Sequence, residues 1–284
     1  MSAGQLFETL ITPRFTDLDT WRHINNTRLY HIHQEARMRT QMELFGRDAW
    51  FSDDVRLRPL RCLTDYRLVS WYDSDLLARV QILDCDSQGF RVISRLYQND
   101  ELVGEQQCLM AAFEQHHRVP LPQQTLERLQ GVALGAADPL PGDAYRKLFS
   151  HPGGFPVHQQ LTPRYGDMDV DSQRSEAALA RWMEQARFGG IRQLEMGGLG
   201  VLVAATDMSY EHYRPGFHPV ELVSGISRIG NSSFIFTGGC LDKGELQASA
   251  NTVMVVIDPA TDRPVPIPPA LREQLQAWLI PGLD

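Results

Sequence analysis

Ile11-Thr12-Pro13-Arg14-Phe15-Thr16-Asp17-Leu18-Asp19 and Leu161-Thr162-Pro163-Arg164-Tyr165-Gly166-Asp167-Met168-Asp169 are one motif written twice, 150 residues apart. Two further anchors follow in the same order. Glu35-Ala36-Arg37 faces Gln185-Ala186-Arg187 at the same offset, and Val119-Pro120-Leu121-Pro122 faces Val265-Pro266-Ile267-Pro268 at 146. Ordered self-similarity of this kind marks an internal duplication, which sets the fold before any single element is assigned.

Working outward from the motif, each copy repeats one layout. A short opening strand ends in the Asp-x-Asp turn, and a helical segment follows, Thr27 to Phe45 in the first copy and Ala177 to Met196 in the second. Leu29, Ile32, Ala36 and Met42 recur at helical steps before Gly46. Leu179, Trp182, Met183, Ala186 and Ile191 do so before Gly197-Gly198. Alternating runs then predict strands at Leu76–Leu83, Phe90–Tyr97 and Cys108–Phe113, and at Val220–Ile229, Ser233–Cys240 and Thr252–Ile257. Polar turns at 86–89, 98–101, 230–232 and 242–244 make them antiparallel hairpins. Short amphipathic helices, Leu121 to Leu129 and Pro269 to Leu279, close the copies.

A long helix followed by an antiparallel meander is an α+β unit that buries the helix on one face of the sheet. The expected domains are repeat 1 at 1–131, a Gly-, Ala- and Pro-rich linker at 132–154, and repeat 2 at 155–284.

Composition narrows the function classes. The 284 residues are 43% apolar and 22% charged, a globular balance. No apolar run is long enough for a membrane span, and the first residues lack a basic and an apolar leader segment, so a cytoplasmic protein is expected. Cys62, Cys85, Cys108 and Cys240 are scattered without zinc-ligand spacing, and His31 and His33 fall on different helix faces, so no metal is expected. A net charge of -8 argues against nucleic acid as a partner.

Asp17-Leu18-Asp19-Thr20-Trp21-Arg22-His23-Ile24-Asn25-Asn26, with Tyr30 and Glu35-Ala36-Arg37 beyond it, resembles the Asp-x-Asp-x-x-Gly-His-x-Asn-Asn…Tyr…Glu-x-Ala-Arg signature of the 4-hydroxybenzoyl-CoA thioesterase-like hotdog family. It is also similar to the acyl-ACP thioesterases, which carry two hotdog units. The resemblance implies two tandem hotdog repeats, each a central helix wrapped by an antiparallel sheet, packed as a pseudo-dimer. It implies hydrolysis of an acyl-CoA or acyl-ACP thioester without a cofactor. Asp19 would be nucleophile or general base, His23 part of the catalytic group, and the Asn26 backbone amide an oxyanion donor. Asn25, Glu35 and Arg58 are candidates for holding substrate, with Arg56, Arg58 and Arg61 as a seat for CoA phosphates ahead of the second strand. The family Tyr that opens that strand corresponds to Tyr66 and Tyr210.

The sequence departs from the signature in ways that matter. Arg22 replaces the family Gly, and Trp21 replaces the Asn that acyl-ACP relatives use. In the second copy His23, Asn25 and Asn26 become Gln173, Ser175 and Glu176, so Asp169 marks a second pseudo-site that has decayed or specialised. The residues also admit plainer roles. Asp-x-Asp serves as a turn and helix cap in many proteins, and Glu35 can pair with Arg37 or Arg39 on a helix surface. A hotdog hydratase or dehydratase and a non-catalytic acyl-thioester-binding or accessory protein share the fold. The sequence leaves open whether two chains form a homodimer.

Overall fold

A computed structural model describes residues 4–46, 56–135 and 137–281. The chain divides into two compact units, Met1–Pro141 and Gly142–Asp284. The first three residues, part of the stretch read for a leader, lie outside the described residues.

In the first unit, β1 (Phe7–Ile11) leads through a 3-10 turn at Phe15–Asp17 into α1 (Asn26–Phe45). The meander β2 (Arg56–Tyr66), β3 (Leu76–Asp86), β4 (Gly89–Gln98) and β5 (Glu101–Glu114) follows, with short β6 (His117–Val119) and α2 (Gln123–Val132) closing the unit. The sheet order is β1-β3-β4-β5-β2, antiparallel throughout, with β6 alongside β5. Helix α1 lies against β1, β3, β4 and β5.

The second unit repeats the plan: β7 (Val157–Leu161), a 3-10 turn at Tyr165–Asp167, α3 (Glu176–Ile191), β8 (Gly200–Tyr210), β9 (Val220–Ile229), β10 (Ser233–Asp242), β11 (Glu245–Asp258), β12 (Arg263–Pro264) and α4 (Pro269–Gln276). Its order is β7-β9-β10-β11-β8, with β12 beside β11. Each unit is therefore α+β, one long helix on an antiparallel sheet.

The helices begin where side chains satisfy their first amides. Asn25 Oδ1 accepts from Thr27 N–H at 2.8 Å and Arg28 N–H at 3.3 Å, and Ser175 Oγ accepts from Ala178 N–H at 3.0 Å. Gly46, at φ 86°, ends α1. Helix α3 stops at Ile191, five residues short of the expected Met196, because Gly189-Gly190 weakens its last turn and Leu194 joins the core instead.

The structure corrects four further expectations. Met42 is exposed, while Thr40 and Gln41 are buried. Tyr66 and Tyr210 close their strands, paired with Gly104 and Ala248, and do not open them. Arg56, Arg58 and Arg61 lie within β2, where a register shift between Pro59 and Arg61 keeps Arg58 and Arg61 buried and Arg61 Nη1 donates to the Pro141 carbonyl at 2.7 Å. The stretch read as linker contains a 3-10 helix, Ala144–Ser150, whose Phe149 stacks on Phe155 in the core of the second unit.

The two interiors differ in chemistry. Ser94 pairs with Gln106 and Gln106 with Thr64 across β4, β5 and β2, and all three are buried, with His33 Nδ1 2.7 Å from Ser94 Oγ. The matching row in the second unit is Gly238, Ala250 and Met208, and Met183 stands at the sequence position of His33. This row carries polar side chains in the first unit and none in the second.

Candidate functional site

The Asp-x-Asp segment forms the same local structure in both units. Asp19 Oδ1 accepts from the N–H groups of Trp21 (2.8 Å) and His23 (3.1 Å), and Asp19 N–H donates to the His23 carbonyl (2.9 Å). Asp169 Oδ1 accepts from Asp171 (2.9 Å) and Gln173 (3.0 Å), with Asp169 N–H on the Gln173 carbonyl (2.7 Å). Arg22 and Ser172 take left-handed φ values of 69° and 58° to close these turns. That conformation suits Gly best, and Arg22 adopts it at some strain. The earlier acidic residues serve the backbone too: Asp17 Oδ2 accepts from Arg14 N–H and Asp167 Oδ2 from Arg164 N–H, each at 2.8 Å.

Asp19 thus has a structural duty, and it falls on one oxygen. Oδ2 takes no part in the turn. His23 is half-buried, its ring edge-on to Trp71 at 4.8 Å and to Trp21 at 6.4 Å. The Ile24 N–H donates to the Ser70 carbonyl at 2.9 Å and the Asn25 N–H to the Asp17 carbonyl at 2.9 Å, so the turn, the 67–75 loop and the helix start form one assembly. Asn25 spends its side chain capping α1, and Asn26 is the first helical residue.

Asp19, His23, Asn25 and Asn26 are brought together. Glu35 and Arg58 are not part of that group. Glu35 makes a 2.8 Å ion pair with Arg39 at a position half open to water, where such pairs contribute little. Arg58 is buried in β2. No cluster of three metal-ligating side chains occurs among the described residues, and none of their helices is long and apolar enough to cross a membrane.

Sequence reasoning missed what holds the loop beside the turn. In the first unit buried Gln98 does this. Its Oε1 accepts from Trp71 N–H at 2.8 Å, and its Nε2 donates to the carbonyls of Trp71 (2.7 Å) and Ser74 (2.9 Å). Strand residues match at an offset of 144, because both second hairpins turn at the same place, Gln98 to Glu101 and Asp242 to Glu245. On that offset Gln98 becomes Asp242 and Ser74 becomes His218, while Ile24 becomes Arg174 on the 150 offset of the motif. These three residues meet: Arg174 Nη1 donates to Asp242 Oδ2 at 2.8 Å, and His218 Nε2 lies 2.6 Å from Asp242 Oδ1.

Residues 163–275 match the thioesterase-like superfamily, a span within the second unit. The chain has the tandem hotdog fold, and the part of it that is similar to the thioesterase-like superfamily is its second copy. The tandem hotdog is similar to a putative oleoyl thioesterase from Lactobacillus plantarum (12% identity, TM-score 0.75, covering 90% of this chain and 98% of that one). It is likewise similar to a 12:0-ACP thioesterase from Umbellularia californica (12%, TM-score 0.72, covering 88% and 94%). An acyl-ACP thioesterase from Bacteroides thetaiotaomicron aligns at 9% identity and TM-score 0.63, covering 88% and 97%. At such identities the likeness concerns the hotdog fold. No curated protein sequence matches the tandem hotdog chain.

Proposed function

We propose that this protein hydrolyses an acyl-CoA or acyl-ACP thioester at the Asp19 turn. The observation that carries the reading is the division of labour within one carboxylate: Oδ1 is fixed by two backbone N–H groups and Oδ2 takes no part in the turn. A carboxylate oriented in this way either takes a proton from water or attacks the thioester carbon itself.

The developing oxyanion needs a fixed donor. The family resemblance gives that role to the Asn26 backbone amide, and Asn26 is the first residue of α1, next to the Asn25 cap on Thr27 and Arg28. The positive end of the α1 dipole lies at the same point. Loss of one such donor raises a barrier by about 3 to 4 kcal/mol, which makes its placement a first-order effect. His23, backed by Trp71, completes the group.

This reading puts the protein in the cytoplasm, in keeping with four free cysteines. The test is thiol release from aromatic, short, medium and long acyl-CoAs and acyl-ACPs. Release by the parent protein together with an Asp19→Asn variant slowed a hundredfold or more supports it. Binding of acyl thioesters with no thiol released at any chain length would instead describe a carrier.

A further inference from the structure

The second unit has lost the histidine of its motif, and the structure supplies another from a different element. His218 stands in the 211–219 loop, the counterpart of the loop that holds Trp71 beside His23. The loop is joined to the Asp169 turn by Arg174 N–H on the Arg214 carbonyl (3.0 Å) and by an antiparallel bridge between Gln173 and Pro215. We propose that His218 is the general base of a second thioester-hydrolysing site in this unit, oriented by Asp242 and Arg174. The inference rests on the thioesterase reading above.

Three observations carry it. The first is burial with a single open member: Arg174 and Asp242 side chains are 1% and 2% exposed, whereas His218 is 40% exposed. A charge pair hidden in this way presents one group to solvent, the imidazole. The second is the tautomer. Burial disfavours the Asp242 carboxylate, but hydrogen bonds from His218 and Arg174 outweigh it and hold the carboxyl below its usual range. An ionised carboxylate only accepts, so the Nε2 at 2.6 Å carries the hydrogen and the 3.4 Å approach of Arg174 Nη2 to it is a contact between donors. In the neutral ring it is then Nδ1 that holds the lone pair. The third is access. Gly216, at φ 103°, flanks the ring, and a Cβ there would stand 3.2 Å from Nδ1. A glycine keeps that nitrogen approachable.

The fold does not require this arrangement. The first unit pins the equivalent loop with Gln98 and has Ile24 and Ser74 in place of Arg174 and His218. Three coordinated changes that bury an ion pair behind an exposed imidazole go beyond what holding a loop demands. The Arg174–Asp242 pair thus orients the ring and fixes its tautomer. In the step itself, Nδ1 takes a proton from water and the water oxygen bonds to the carbonyl carbon. The carbon–sulfur bond then breaks, and the imidazolium returns the proton to the leaving thiolate. Water is consumed, and acid and thiol are produced.

The experiment measures thiol release from the acyl-CoA panel by the full chain, by Asp19→Asn, by His218→Ala and by the double variant. The expected result is residual turnover in Asp19→Asn that falls about a hundredfold or more when His218→Ala is added, through kcat with KM held, and that returns in part with added imidazole. A triple variant, Arg174→Ile/His218→Ser/Asp242→Gln, rebuilds the first unit's loop anchor without the base and should lose the same turnover while unfolding normally. Equal rates for Asp19→Asn and the double variant overturn the proposal, as does an Asp19→Asn protein with no turnover above buffer beside an active parent. A parent that releases no thiol from any substrate overturns the thioesterase reading itself.

Discussion

Asp19 and His23 close on each other: the Asp19 N–H donates to the His23 carbonyl at 2.9 Å, and the His23 N–H returns to Asp19 Oδ1 at 3.1 Å. Asparagine can keep that Oδ1 acceptor and alanine cannot. Asp19→Asn should therefore leave stability within about 0.5 kcal/mol while thiol release falls, whereas Asp19→Ala should also cost about 1 kcal/mol of unfolding free energy. Asp169→Ala, in the same turn geometry, should show a similar stability loss in urea titration.

His33 gives the first unit an acid sensitivity. Full burial, with Arg37 adding to it, lowers its pKa to about 3 from 6.5. Below pH 6.5 the unfolded chain takes up a proton that the folded state refuses. Stability should therefore fall as the pH drops from about 6.5 toward 3, by up to about 1.4 kcal/mol per unit. His33→Met, which installs the residue found at Met183, should flatten this slope when unfolding is followed at a series of pH values.

The Arg174–Asp242 pair should show the asymmetry of buried charges. Removing one partner strands the other, so Asp242→Asn should cost about 3 to 5 kcal/mol, while the triple variant that restores the Ile24, Ser74 and Gln98 arrangement should recover most of it. The Asp242 carboxyl lies below its usual 3.8, so its contribution is complete above about pH 4 and is lost as the pH falls through the lower folded value. Thermal unfolding scans in acid read both effects.

Gly190 marks a tight contact under α3. A Cβ there would stand 2.6 Å from Trp278 Cζ3 and 2.9 Å from Phe236 Cζ. Gly190→Ala should lower unfolding free energy by about 1 to 3 kcal/mol through overpacking, despite its better helix propensity. Thr40→Ala at the matching position of α1 lacks that clash and should cost less.

The duplication, both long helices and the hairpin turns were legible because they rest on local signals: repeated motifs, helical periodicity, and Gly-, Asn- and Asp-rich turns. What the sequence hid was long-range. The Arg56, Arg58 and Arg61 run read as a surface cluster because β2 shows no clean alternation, and only the β2–β5 register reveals the burial of Arg58 and Arg61. Asp19, His23, Asn25 and Asn26 were found together because they are close in the chain, whereas Trp71 and Gln98 join them across the sheet. His218 and Asp242 were visible only after the offset had changed from 150 to 144, a shift made up of the longer end of α1 and the longer connection after it.

That six-residue change has a use. Helices α1 and α3 span 20 and 16 residues, yet the turns that precede them and the hairpins that follow them agree residue for residue. Length variation is thus absorbed at the far end of each helix, away from the Asp-x-Asp turn. For protein engineering, a change of helix length made at that far end would leave the geometry of both turns undisturbed.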